Sequence, residues 1–240
     1  MKTLLFCLPY AGGSATVYHA WRSGLNDHIE LCPVELPGRG SRYDEPFASR
    51  IEQLVDDLAI RISTQAQQQP YILYGHSMGA VLAYELYHAL IRRGCHPPEG
   101  IILSGRPAPD YNKGSRWSDL KERVLSFLPP DDRHMPAEIA AHPQLAAVFK
   151  RILQADIQMM SCYQASRQPS SIHCPLIVLA GKQDTIPAAG MEAWQAYAKH
   201  SFQVYWLDGD HFFIHSHHSV VLDTINAFTH ATAYGGGFNQ

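Results

Sequence analysis

The sequence has no run of apolar residues approaching the roughly 18 that a membrane-crossing helix needs, so no membrane partner is expected. Charge is sparse as well. Asp, Glu, Lys and Arg make up 17% of 240 residues and nearly cancel, leaving a formal net charge of −3 and no basic arm of the kind that engages nucleic acid. Cysteine is scarce and unpatterned: Cys7, Cys32, Cys95, Cys162 and Cys174 form an odd set without C-x-x-C spacing, which implies neither a disulfide framework nor a zinc site. The opening stretch, Met1 to Pro9, is too soon interrupted to serve as a signal peptide, and a reducing cytoplasm is the expected location. No internal repeat is present. The length suits a single domain, or a core domain carrying one insertion.

What is present is arranged around Tyr71-Ile72-Leu73-Tyr74-Gly75-His76-Ser77-Met78-Gly79-Ala80. Four β-forming apolar residues run into a turn and then into Met78 to Arg93, which is apolar around most of a helical circumference, as a helix buried on a sheet should be. Gly75-x-Ser77-x-Gly79 matches the nucleophile elbow, in which a tight strand-to-helix turn lifts a serine hydroxyl above the carboxyl end of a sheet. A bare G-x-S-x-G arises by chance in about one chain in ten of this length, so its context carries the weight.

A serine hydroxyl needs a general base to take its proton and a carboxylate to hold that base in the right tautomer. Of 14 histidines and 22 acidic residues, few lie just beyond the carboxyl end of a strand in the chain order Ser, Asp/Glu, His. Asp184 follows the apolar run Pro175 to Ala180, and His211 follows Phe202 to Leu207. Asp208 and Asp210 are rivals for the carboxylate, but their nearness to His211 in sequence suits turn or helix-start roles. His76 is expected beneath the turn, packing or hydrogen-bonding, and His215, His217 and His218 are expected as exposed residues at a helix entry rather than a metal cluster. The backbone N–H of Met78 and that of Ala11, in the Tyr10-Ala11-Gly12-Gly13 loop after the first strand, are the candidate oxyanion donors.

Along the chain, Thr3 to Leu8 is a strand, Val17 to Leu25 amphipathic, Ile29 to Leu36 a strand, and Pro37 to Arg42 a turn-rich basic connection expected to be solvated. Ser49 with Glu52 predicts a capping box for a helix whose face carries Ile51, Leu54, Val55, Leu58 and Ile62. Arg92 and Arg93 end the elbow helix before Gly94, Ile101 to Ser104 is a strand, and strand and helix alternation resumes with Pro175 to Ala180, Gly190 to His200, Phe202 to Leu207 and Ser219 to Ala231. This pattern predicts a mostly parallel sheet flanked by helices. Residues 111–170 change character: Asp119 to Leu128, Pro136 to Ala141 and Pro143 to Tyr163 read as helices with prolines between them. The expected organisation is a core of residues 1–110 and 171–231, a helical insertion over 111–170, and a disordered tail over 232–240.

Leu8-Pro9-Tyr10-Ala11-Gly12-Gly13-Ser14, Leu36-Pro37-Gly38-Arg39-Gly40-Ser41-Arg42, Gly75-His76-Ser77-Met78-Gly79, Gly181-Lys182-Gln183-Asp184 and Gly209-Asp210-His211-Phe212 together resemble the type II, or editing, thioesterases of nonribosomal peptide and polyketide synthesis. The resemblance spans nearly the whole chain and departs mildly at Tyr10, where many members have histidine. It implies an α/β-hydrolase fold with an inserted lid, and acyl thioesters held on the phosphopantetheine arm of an acyl or peptidyl carrier protein. It implies no cofactor of the enzyme's own, and a monomer is expected. Two other readings stand beside it: a general carboxylesterase or lipase-like hydrolase with the same triad, and a non-catalytic carrier-binding module on the same fold. Basic residues outnumber acidic ones between 111 and 170, so an acidic carrier would approach that side.

Overall fold

The computed structural model describes residues 1–111, 141–164 and 170–233. Six strands, Thr3–Leu8 (β1), Ile29–Pro33 (β2), Tyr71–His76 (β3), Gly100–Ser104 (β4), Leu176–Gly181 (β5) and Phe202–Leu207 (β6), form one parallel sheet in the order β2-β1-β3-β4-β5-β6. Helices among the described residues are Ile51–Gln68 (α1), Met78–Arg92 (α2), Pro143–Ser161 (α3), Ala188–Glu192 (α4), Phe213–Ser216 (α5) and His218–Ala233 (α6). Every residue of β1, β3, β4 and β5 is buried, because parallel strands joined by crossover helices are covered on both faces.

Side chains alternate along each strand, so the sheet divides its apolar residues between two cores. Leu4, Phe6, Leu8, Leu73 and Leu103 pack with α1 and α2 on one face. Leu5, Cys7, Ile72, Tyr74 and Ile102 pack on the other against Tyr18, Trp21, Ile225 and Phe228. The chain leaves β1 toward β2 and leaves β3 toward β4, in opposite directions across the sheet. That reversal opens a crevice at the carboxyl ends of β1 and β3, the place where open α/β sheets bind ligands.

Several boundaries differ from expectation for physical reasons. β2 stops at Pro33 rather than Leu36, since it is an edge strand whose register with β1 runs out at the Cys7 and Pro33 pair. The segment after β1 is a 3₁₀ turn over Ala15–Ser23 and begins earlier than Val17. The Ser49 and Glu52 capping box does not form: α1 starts at Ile51, which is buried, so its cap position falls on Arg50, and Ser49 Oγ instead lies 3.5 Å from Gln53 Oε1. The helix expected over Gly190 to His200 is α4 followed by a 3₁₀ turn, Ala193–Ala196. Helix α5 was not anticipated, and α6 continues through Thr232 and Ala233, two residues into the segment read as tail. Gly94 takes the left-handed conformation after α2, with φ +78°. The helical segments expected over 119–128 and nearly all of 136–141 lie outside the described residues, as do residues 234–240 of the tail.

The elbow glycines are fixed by backbone approach. A Cβ on Gly79 would stand 2.1 Å from Leu8 O, and one on Gly75 would stand 1.9 Å from Gly79 O. Neither neighbour is a side chain that can swing away. Gly79→Ala should therefore lower the unfolding free energy by about 3 kcal/mol, whereas Gly94→Ala, with nothing within 4 Å of the added methyl, should cost only about 1 kcal/mol for its left-handed backbone. Urea midpoints of the two variants check the order; equal losses would contradict the steric account.

Candidate active site

The residues singled out in the sequence arrive at one edge because parallel strands all end there. β3 leads into Ser77, β5 into the loop of Asp184, and β6 into the loop of His211. Ser77 sits at φ 55° and ψ −112°, the one non-glycine residue with positive φ among those described. This is a strained conformation for an L-residue. It is held from both sides, since Ser77 N–H donates to Ser104 O at 2.8 Å on the neighbouring strand and Ala80 N–H donates to Ser77 O at 3.1 Å.

His211 Nε2 lies 3.1 Å from Ser77 Oγ, and its Nδ1 lies 2.7 Å from Asp184 Oδ2. A carboxylate only accepts, so Nδ1 carries the proton and leaves Nε2 free to accept from the serine hydroxyl. The Asp184 side chain is 3% exposed and His211 15%. The other carboxylate oxygen, Oδ1, accepts the N–H of Ile186 at 3.2 Å, so both oxygens are engaged. The Asp184 and His211 loops are locked backbone to backbone: Gln183 N–H donates to Gly209 O at 3.0 Å, Gly209 N–H donates to Gln183 Oε1, and a Cβ on Gly181 would stand 2.6 Å from Asp210 O. The rival carboxylates are occupied elsewhere. Asp208 pairs with Lys182 at 2.9 Å, and Asp210 Oδ1 accepts the N–H of Phe212 at 2.8 Å.

His76 is fully buried beneath the turn, its Nδ1 2.8 Å from Ser104 Oγ and its ring centroid 5.1 Å from that of His211. Burial, and then positive charge on His211 and His215, hold its pKa well below the ordinary value of 6.5. His215 and His218 are exposed around the entry to α6, and among the described residues no group of three or more His, Cys, Asp or Glu is arranged to hold a metal ion. Met78, the first residue of α2, presents its N–H at the helix start, where backbone donors have no intrahelical acceptor. Ala11 and Gly12 are the middle of a turn closed by Gly13 N–H donating to Tyr10 O at 2.9 Å, with Gly12 at φ +83°.

Three features went unread in the sequence. Tyr10 is 9% exposed, packs edge-on against His76 and Phe212, and shares a hydrogen bond of 3.0 Å with His215 Nε2. Burial pushes its phenol up to about 12. The loop expected to be a solvated connection is instead anchored inward, with Arg39 3% and Arg42 9% exposed. Arg42 reaches Glu45 and Asp57, while Arg39 meets Asp156 of α3. The signal for Asp156 was available: it is a lone acid on the stripe of Ile152, Met159 and Met160, the buried face of that helix.

A family model described as thioesterase domain matches residues 3–229. The linear gramicidin dehydrogenase LgrE of Brevibacillus parabrevis is 32% identical over 235 residues, spanning 94% of this chain and 87% of that protein. Although that name contains the word dehydrogenase, the present sequence has no G-x-G-x-x-G dinucleotide fingerprint. The crystal structure of ClbQ from the colibactin NRPS/PKS pathway matches with a TM-score of 0.84 at 25% identity, over 98% of this chain and 100% of that one. The type II thioesterase BorB from the borrelidin biosynthetic cluster matches with a TM-score of 0.81 at 28% identity, over 95% and 93%.

The depressed histidines set a pH dependence. His76 lies well below 6.5, and burial with the nearby Arg92 charge pushes His88 down to about 4. Below pH 6.5 the unfolded chain takes up protons that these two folded imidazoles refuse, so stability falls as pH falls through that value. Urea midpoints measured from pH 7.5 to 5 should decline, and the decline should be shallower in His88→Gln. An unchanged slope in that variant would show that His88 titrates normally in the folded protein.

Proposed function

This chain belongs to the thioesterase family, and on that premise we propose that it hydrolyses acyl groups held as thioesters on the phosphopantetheine arm of a carrier protein in a nonribosomal peptide or polyketide pathway. The observation that carries the reading is the continuous relay from Ser77 Oγ to His211 Nε2, and from His211 Nδ1 to Asp184. Ser77 Oγ attacks the thioester carbonyl carbon as its proton passes to His211. Asp184 holds the imidazole in the receptive tautomer and stabilises the imidazolium that forms. The oxygen of the tetrahedral intermediate accepts from Met78 N–H and Ala11 N–H, with the positive end of the α2 dipole beneath it. Collapse expels the pantetheine thiolate, which takes the proton from His211, and leaves an acyl ester on Ser77. Water, deprotonated by His211, attacks that ester and a second passage through the same donors frees the acid. Protein groups and water suffice, so neither a metal nor a cofactor enters the scheme.

Helix α3, within the insertion we propose over 111–170, lies over this edge. The support is local: α3 packs on the loop after β1, with Leu153 Cδ1 and Phe149 Cε2 3.2 and 3.3 Å from the position a Gly12 Cβ would take. The acyl chain runs along that apolar side. The strand ends open only here, so a carrier presenting its arm lies over the same edge. Arg151, on the exposed side of α3, stands 5.4 and 5.6 Å from the ring centroids of Tyr43 and Phe47 and brings positive charge to that rim. No helix among the described residues is long and apolar enough to cross a membrane, and the enzyme works as a cytoplasmic monomer beside its synthetase.

A carrier protein loaded with different acyl chains, followed by intact mass, tests this reading. The wild type should return the free phosphopantetheine form. Ser77→Ala should fold normally and lose turnover by a factor on the order of 10⁵, and Asp184→Asn by about 10⁴. Hydrolysis of small oxygen esters with indifference to the carrier-bound thioester would favour a general carboxylesterase, and an inert wild type that still binds the carrier would favour a binding module.

A further inference from the structure

The turn that presents Ala11 is gripped by a side chain more than a hundred residues away. Asp156 is 2% exposed on the buried face of α3. Its Oδ2 accepts Gly12 N–H at 2.8 Å and Arg39 Nη1 at 2.7 Å, and its Oδ1 accepts Arg39 Nη2 at 2.6 Å. Arg39 Nη1 also donates to Gly13 O at 3.0 Å. The two charged groups therefore hold the turn by a donor at Gly12 and an acceptor at Gly13, while the Gly13 N–H to Tyr10 O bond closes it around Ala11. Leu153 and Phe149 of the same helix cover Gly12.

A buried ion pair is a poor stabilising device. Removing two charges from water costs several kcal/mol per ion, and well-packed apolar residues of similar volume often do as well. What a leucine and a methionine in these places would not do is accept one backbone N–H and donate to the next carbonyl of a single four-residue turn. The specific effect of the pair is orientation.

We infer that Asp156 and Arg39 are positioning residues that aim the Ala11 N–H at the developing oxyanion, so that the oxyanion hole is complete only while α3 is seated on the core. The inference rests on the acyl-enzyme reading of Ser77. It makes the insertion a functional part of the catalytic apparatus in addition to a cover for the acyl chain. A tilted turn would leave substrate binding nearly intact and weaken the tetrahedral state alone.

The test compares the wild type with Asp156→Asn and with the double variant Arg39→Met/Asp156→Leu, which removes both charges and leaves no lone ion buried. The substrate is a small acyl thioester of N-acetylcysteamine, and the tetrahedral probe is an alkyl trifluoromethyl ketone that adds to Ser77 Oγ. In folded variants kcat should fall by about 10- to 100-fold, KM should change by less than about threefold, the ketone Ki should rise by the same factor as kcat falls, and the pH midpoint of kcat should not move. If Asp156→Asn fails to fold, the double variant reads the same quantities. Lowered thermal stability with kcat and ketone affinity unchanged, in either folded variant, overturns the inference and leaves the pair a structural tie. Ser77→Ala separates the two levels: if it retains turnover, the acyl-enzyme reading fails first, whereas an inert Ser77→Ala beside an unimpaired Asp156→Asn sinks the positioning role alone.

Discussion

Three backbones meet beneath Ser77 with no room for side chains between them. The end of β1 passes within contact of Gly79, and Gly79 in turn passes within contact of Gly75. This approach draws the start of α2 hard against the sheet and forces the intervening residue into positive φ. The strain is local and is offset by the fully buried strands around it, which make the elbow a rigid part of the sheet. Everything catalytic is then measured from that point: the helix dipole under the serine, the imidazole at hydrogen-bond distance, and the loop after β1 on the far side of the crevice.

The carboxylates around the elbow are each engaged by defined groups. Asp184 spends one oxygen on His211 and the other on a backbone N–H, so its orientation is fixed from two directions. Asp208 and Asp210, the nearer acids in sequence, face Lys182 and a backbone N–H instead. Burial disfavours the cation of His76, so that ring is held toward its neutral form 5.1 Å from the ring of His211. Sheet topology produces this separation: the loops after β5 and β6 are adjacent and bonded to each other, and they bring Asp184 and His211 to the elbow.

Much of this was legible in the sequence, because the relevant constraints are local. Strand alternation is a two-residue signal, the elbow a five-residue one, and the order of Ser77, Asp184 and His211 follows from strand ends that the apolar runs mark. Ser49 and Glu52 misled, since a capping box depends on where the first helical residue falls, and burial of Ile51 put that one place along. Arg39 misled more seriously. A lone arginine between glycines resembles a solvated turn until its partner is known, and that partner is separated from it by most of the fold. No window along the chain contains both halves of such a pair. Asp156 alone carried a local sign, an acid on a helix face otherwise made of Ile152, Met159 and Met160.

The same ion pair bears on which replacements of α3 this chain can accept. Helix α3 is not self-contained: Asp156 belongs to it while Arg39 sits in the loop of residues 37–42, 117 residues apart in sequence. A transplanted helix without an acid at that place would strand a guanidinium in the interior, and one with a misplaced acid would strand both charges. An exchange of that helix is thereby confined to donors that share the pair or to replacements that move the loop of residues 37–42 together with it.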